Sequence, residues 1–369
     1  MRTYQYGISN HKEIIFFVMS LSQPRCIKRV VSFKQAGFRC IVYGYRRGIY
    51  DVNDFPNDIE VHDLGQVKNR DYKNNFGQIR HDVMNIVSNH GKTLLYYSFG
   101  FAPSLFFALK GTHYIYECSD VWYAYPKFDR LRWAFNQIDK WIIKKSSITV
   151  MTSGGFAEFF GVNDSEKVVV LPNRVSPFFC GIERHSTTTS NTIVFGFVGS
   201  IRYNNVFRFA EIIGKNFPHY SFHFYGGAGR AQINRVQELV SLYPNVLYFG
   251  PFKSPEDLPK IYNNIDVVVA CYDNASLNEQ IAEPNKLYES LFFCKPIIVS
   301  PNTYLAGRVK HFECGFVLDA DDDQSVYSFV NSLSSTVIEN TSKRELALPL
   351  DEIIDMPDCL LDKVESLFV

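Results

Sequence analysis

Short runs of β-branched and aromatic residues alternate with longer amphipathic stretches along the whole chain, the pattern of βαβ units around mainly parallel sheets. In the first half it predicts strands over 14–20, 40–45, 59–61, 93–98, 114–117, 148–151 and 168–171. Helices are predicted over 25–36, closed by Gly37, over 71–89, and over 128–145, where Leu131, Phe135, Ile138 and Ile142 share a face. This half reads as one Rossmann-like domain over 1–175. Polar, aperiodic sequence follows, and 176–191 reads as a linker. The alternation restarts with strands over 192–198, 221–225, 246–249, 267–270, 296–299 and 315–318. Helices near 204–216, 229–242, 255–263, 284–293 and 322–335 separate them, giving a second doubly wound domain over 192–350. An apolar helix near 357–368 suggests that 351–369 returns to the first domain. The expected fold class is α/β, with two Rossmann-like domains facing a cleft and ligands gathered at strand carboxyl ends.

Composition narrows the function classes. The 369 residues carry 38 Lys+Arg against 38 Asp+Glu, a formal charge of zero, so no overall field gathers nucleic acid and none is expected as a partner. The longest apolar run, Ile14 to Met19, is far below the ~20 residues of a membrane-spanning helix. The N-terminal sequence lacks the basic start, apolar core and small-residue cleavage site of a secretory signal, which points to the cytoplasm. Eight cysteines form no CxxC pair and no cluster with histidines at metal-ligand spacing. They read as reduced core thiols, Cys118 and Cys271 included, and no metal site is expected.

The segment Ala282-Glu283-Pro284-Asn285-Lys286-Leu287-Tyr288-Glu289-Ser290 reads as loop and then helix. Pro284 suits a first helical turn, and Lys286 and Glu289 share one face with their side chains directed towards the helix start. A diphosphate there would meet backbone N–H groups, the helix dipole and the Lys286 ammonium, while Glu289 could accept from a ribose diol. An ion pair on a solvated helix is the plainer alternative.

This segment resembles the donor-binding signature of retaining glycosyltransferases of the GT-B fold, the broad group around glycosyltransferase family four, whose relatives often carry Pro-Asn-Lys-Leu-x-Glu here. Phe197-Val198-Gly199-Ser200-Ile201-Arg202 is similar to that group's first donor-domain strand and phosphate loop, and Leu171-Pro172-Asn173-Arg174 to the strand end before its linker. Phe224-Tyr225-Gly226-Gly227 and Asp266-Val267-Val268-Val269-Ala270 resemble its second and fourth donor-domain strands. The resemblance implies donor contacts from Gly199, Ser200, Arg202, Tyr225, Gly226, Asn285, Lys286, Leu287 and Glu289. It makes Arg202 and Lys286 the phosphate cations, with no bound metal or other cofactor. Two departures matter. The group's earlier glutamate falls on Ile281 here, so its donor-sugar role passes to Glu283, whose plainer reading is a carboxylate favoured at a helix start. The lysine that often follows the arginine is replaced by Tyr203-Asn204-Asn205.

On the acceptor side, Glu117-Cys118-Ser119-Asp120-Val121-Trp122 ends a first-domain strand and resembles the aspartate-containing loop of related enzymes. Asp120 is expected to orient or deprotonate an acceptor hydroxyl, with Glu117 beside it and Trp122 or Tyr123 stacking on a sugar face. A turn-capping Asp120 and a packed Trp122 are the alternative. Ser22, Gln23 and Arg25 in the first βα loop are further acceptor candidates. From Leu21 to Tyr50 the chain has seven basic residues, Arg25, Lys28, Arg29, Lys34, Arg39, Arg46 and Arg47, and no acidic one. With Trp133, Lys140, Trp141, Lys144 and Lys145 they suggest peripheral contact with an anionic membrane carrying a lipid-linked acceptor, against the plainer reading of a solvated basic face. Asp319, Asp321, Asp322 and Asp323 read as a helix-starting turn.

These residues and the resemblance imply a glycosyltransferase that moves a sugar from a nucleotide-sugar donor to a glycan or lipid-linked glycan, with retention, in cell-surface polysaccharide assembly. A sugar-nucleotide epimerase or hydrolase of the same architecture is a second reading. A non-catalytic nucleotide-sugar-binding subunit is a third.

Overall fold

The computed structural model describes residues 12–47, 52–67, 72–187, 192–273 and 276–368. The chain divides into two compact units, Met1–Pro172 with Pro357–Val369, and Asn173–Met356. No helix among the described residues is long and apolar enough to cross a membrane.

The first unit is built on seven strands: β1 (Glu13–Val18), β2 (Arg39–Arg47), β3 (Glu60–Val67), β4 (Leu95–Phe99), β5 (His113–Cys118), β6 (Ile148–Met151) and β7 (Val168–Val170). They pair in parallel in the order β3-β2-β1-β4-β5-β6-β7. Ile14 through Val18 are fully buried, because helices cover both faces of a parallel sheet and each strand becomes a continuous apolar run. The order reverses between β1 and β4, so the loops after these two strands part there and open the crevice at which such sheets take ligands. The C-terminal helix Asp358–Glu365 joins this unit through Leu360 and Val364, which share a core with Val30 and Phe33.

The second unit has six strands: β8 (Val194–Val198), β9 (Ser221–Tyr225), β10 (Val246–Tyr248), β11 (Val267–Ala270), β12 (Ile297–Val299) and β13 (Gly315–Val317). They are parallel in the order β10-β9-β8-β11-β12-β13, with the reversal between β8 and β11. All thirteen predicted strands are present, and β6, β9 and β11 keep the predicted limits.

Several expectations are corrected. Residues 176–187 of the expected linker are part of the second unit, while 188–191 lie outside the described residues. Phe179 is buried there, and Arg184 reaches the carboxyl ends of two helices, Asn285–Phe293 and Ser335–Ala347. Its guanidinium donates to the carbonyls of Leu291 (2.9 Å), Phe292 (3.2 Å) and Leu348 (3.0 Å), where unsatisfied carbonyls and the helix dipole favour a cation. The return to the first unit begins at Pro357 rather than at 351, since Ile353 and Asp355 still bond to Val175. The helix expected over 322–335 is Asp323–Ser332, capped by Asp322, and a further helix that was not expected, Ser335–Ala347, follows it. The helix expected from Phe128 begins at Arg132 and buries Asp139, Ile142 and Ile143, leaving Leu131 and Ile138 exposed. Asp139 accepts from the Tyr123 hydroxyl at 2.9 Å, and burial, only partly offset by Tyr116 and Tyr123, pushes its carboxyl up to about 7.

Two predictions follow from these buried polar groups. Arg184→Ala leaves helix-end carbonyls without their donor and should cost about 2 kcal/mol in chemical denaturation. Asp139 has a folded pKa above its ordinary value, so ionising it opposes folding, and stability falls as pH rises from about 4 to about 7. Asp139→Asn removes that slope. The melting temperature of the variant minus that of the wild type should therefore rise by about 3 °C or more across this window and level off above it.

Candidate functional site

In the second unit the donor candidates gather at the carboxyl ends of β8 and β9. Gly199 and Gly226 close these strands with φ of +128° and +137°, conformations that L side chains avoid. The loops are tied by Gly199 N–H to Tyr225 O (2.8 Å) and Ile201 N–H to Gly227 O (3.0 Å). A Cβ on Gly226 would fall 1.9 Å from Gly199 O, so only glycine permits this approach. The space beside Gly199 is taken by Lys286, whose Nζ would lie 2.8 Å from a Cβ placed there. That ammonium stands 4.6 Å from the Phe197 ring centre and 5.4 Å from that of Tyr272. Burial pulls the Lys286 pKa down, while Tyr203 and Glu289 hold it up.

Arg202 is exposed at the same end, with Cζ 4.9 Å over the Tyr203 ring and Nη2 donating to the Tyr203 hydroxyl at 2.6 Å. Tyr203 in turn lies 4.3 Å from Tyr272, so Arg202 and Lys286 flank one pair of rings. Glu289, one turn after Lys286, accepts from Tyr262 at 2.7 Å, and burial raises its pKa against the pull of Tyr262 and Lys286. The helix Asn285–Phe293 starts with Pro284 at its N-cap rather than inside the first turn, and no side chain caps it. Asn285 and Ser200 are exposed.

Three donor-side expectations change. Leu287 is fully buried in the core, where it anchors the helix, and its N–H donates to Pro284 O, so it is not a ligand contact. Tyr225 stacks on Phe249 at 4.6 Å and is almost buried, which makes it a wall of the β9 loop. Glu283, expected to meet the donor sugar, is 2% exposed, and its Oε1 accepts from Tyr288 (2.5 Å) and Arg308 Nε (3.0 Å). Its carbonyl accepts from Asn173 at 3.1 Å. Glu283 thus positions Arg308 and the loop before the helix. Tyr262, Tyr272 and Arg308 escaped the sequence reading because their partners lie on other elements, and Tyr203, read only as the replacement of a lysine, proves to be the partner of Arg202.

In the first unit, Glu117 is wholly buried at the end of β5 and is a structural hub rather than an acceptor contact. It accepts from the Tyr97 hydroxyl (2.5 Å), from Arg29 Nε (3.3 Å) and lies 3.4 Å from Arg25 Nε. Arg25, expected in the first βα loop, stands in the first turn of the helix Pro24–Gln35, and its Nη2 donates to Ser119 Oγ at 2.7 Å, linking that helix to the loop that carries Asp120. Ser22 pairs with Ser20 at 3.1 Å, and Gln23 accepts from Cys26. Asp120 is exposed at the strand end. Trp122 is half-buried and meets Phe101, Tyr123, Phe128 and Phe135 at 4.7–5.7 Å, so its ring packs instead of standing as an open sugar platform. Six of the eight thiols are buried as expected, but Cys180 and Cys359 are exposed rather than in the core. Burial pushes Cys118 and Cys271 far above their ordinary values. The basic run from Leu21 is largely neutralised. Arg25 and Arg29 turn to Glu117, Lys34 to Asp58, Arg39 to Glu13 and Glu60, and Arg46 to Asp63.

The chain can now be set beside known proteins. Residues 192–335 match the model of the family described as Glycosyl transferases group 1. A protein of Bacillus subtilis (strain 168) named as a teichuronic acid biosynthesis glycosyltransferase, TuaH, is 22% identical over 243 residues, which cover 62% of this chain and 60% of that relative. The chain thus spans less than two thirds of its length. Succinoglycan biosynthesis protein ExoL of Rhizobium meliloti (strain 1021) is 19% identical over 372 residues, 94% of this chain and 91% of the relative. Among solved structures, WaaG, a glycosyltransferase involved in lipopolysaccharide biosynthesis, superposes with a TM-score of 0.68 at 13% identity, covering 95% of this chain and 99% of its own. HepE of Anabaena in complex with UDP and glucose gives 0.65 at 13% identity, with 96% of each chain covered. Two parallel sheets with flanking helices are the GT-B fold of these glycosyltransferase structures, and residues 192–335 of the chain match the Glycosyl transferases group 1 family.

Proposed function

We propose that the protein transfers a sugar, with retention, from a nucleoside diphosphate sugar to a glycan or lipid-linked glycan in cell-surface polysaccharide synthesis, at the cytoplasmic face of the membrane. The observation that carries this reading is the convergence of Lys286 and Arg202 on the Gly199 turn at the switch point of the second sheet. The names of the relatives TuaH and ExoL support the biosynthetic setting, and the UDP complex of HepE makes a UDP-sugar the first donor to test.

Charge development sets the requirements. As the bond from the anomeric carbon to the diphosphate breaks, the sugar becomes oxocarbenium-like and negative charge grows on the leaving oxygens. Lys286 and Arg202 would meet that charge without a metal, and the bare glycine turn lets phosphate oxygens approach backbone N–H groups. Glu289, oriented by Tyr262, would accept from the ribose hydroxyls. On the acceptor side Asp120 would orient or deprotonate the incoming hydroxyl, with the Arg25–Ser119 bond fixing its loop.

Removing a cation that meets leaving-group charge costs about 100-fold in kcat or more. Lys286→Ala should therefore lower transfer from UDP-sugars by at least that factor, and Glu289→Ala should weaken UDP affinity about tenfold. Asp120→Asn should slow transfer while UDP affinity stays within about twofold of wild type. Transfer by the Lys286 and Glu289 variants at wild-type kcat and KM would sink the site assignment.

A further inference from the structure

The helix Arg132–Lys145 carries a surface that neither the sheet nor the proposed chemistry uses. Trp133 is 75% exposed, and Trp141, on the same side of the helix, is 36% exposed. At about 100° per residue, Lys140, Trp133, Lys144 and Trp141 fall within an arc of about 100° on its outer side. The inner side holds Asp139, Ile142 and Ile143. Asp139 is the one acidic residue between Arg130 and Lys145, and it is buried against Tyr123. Asp129, just before this stretch, is paired with Arg132. Among the described residues Lys140, Lys144 and Lys145 form no ion pair, in contrast to the basic run from Leu21, most of whose charges are paired within the chain.

One indole standing in water and a second open along one side, between unpaired ammonium groups, are poorly suited to solvent and poorly suited to a dry protein core. The indole ring favours the boundary between headgroups and acyl chains, and lysines beside it favour anionic headgroups. Trp133 lies in the first helical turn, on the strand-carboxyl edge of the sheet from which the Asp120 loop also emerges. We infer that the Trp133–Lys140–Trp141–Lys144 face of this helix is a docking surface for an anionic lipid bilayer, with the helix axis lying in the interfacial plane. This deepens the proposed function by naming where a lipid-linked acceptor would be met, and rests on that reading for the acceptor; the binding itself needs neither donor nor transfer.

Co-sedimentation of the full-length protein with vesicles tests the surface. Phosphatidylcholine alone is compared with an equal mixture of phosphatidylcholine and phosphatidylglycerol. The protein should sediment with the anionic vesicles and release as salt rises. Neutralising one lysine near such a surface lowers partitioning about fivefold, so Lys140→Glu with Lys144→Glu should lower it at least about 25-fold. Trp133→Ala should lower it about tenfold. Unchanged melting temperature and UDP affinity in these variants separate lost docking from lost fold. Equal binding to neutral vesicles, or unchanged partitioning of the charge-reversed variant, would overturn the assignment. So would a concentration-dependent dimer broken by Trp133→Ala without vesicle binding, which would give the face to a second copy of the chain. None of these failures touches the transfer assay or the reading it tests.

Discussion

An ammonium group packed against the α-carbon of a glycine governs the second unit. Lys286 can sit beside Gly199 because no Cβ is there, and Gly199 can sit beside Gly226 because that residue has none either. Two positive φ angles thus translate into a cation held at the ends of β8 and β9. A partly buried cation is costly unless something answers its charge, and here Glu289 and two aromatic faces do so incompletely. The depressed Lys286 pKa records the remainder. An anion arriving at the Gly199 turn would remove that deficit, which is the physical reason for reading the place as a diphosphate site.

The first unit answers buried charge differently. Glu117 is enclosed by Arg25, Arg29 and Tyr97, so its charge is answered internally and its task is to hold the elements that carry them. What the loop after it presents outward is Asp120. The second unit repeats the device with Glu283, whose partners Arg308 and Tyr288 keep it from the surface. In both places a carboxylate near the expected chemistry proves to be scaffold, and the proposed chemistry falls to a neighbouring group.

The strands were legible because buried parallel strands are continuous apolar runs, and the runs at 148–151, 221–225 and 267–270 needed no adjustment. Helices with an apolar residue on nearly every side were not. Phe101–Lys110 passed unseen since its sequence has no polar stripe to set a period, and Leu277–Ile281 is too short to show one. The Lys286–Glu289 pair could be read from spacing alone because both residues share one helix face. Arg308 and Tyr262 could not, since each reaches its glutamate from another helix. Proximity in sequence also misled: Glu283 stands close to Lys286 in the chain, yet Arg308, distant in sequence, commits its carboxylate. The basic run from Leu21 looked like a field for the same reason, until the fold brought acidic partners to most of it.

The central claim is that protein cations at the Gly199 turn bind a nucleoside diphosphate. Calorimetric titration of the wild-type protein with UDP, GDP, ADP, TDP and CMP, in the presence of a chelator and again with a divalent metal, tests it most directly. The account predicts saturable binding of a nucleoside diphosphate that is unchanged by the chelator. Heat from no nucleotide, or binding that appears only with the metal, would contradict it.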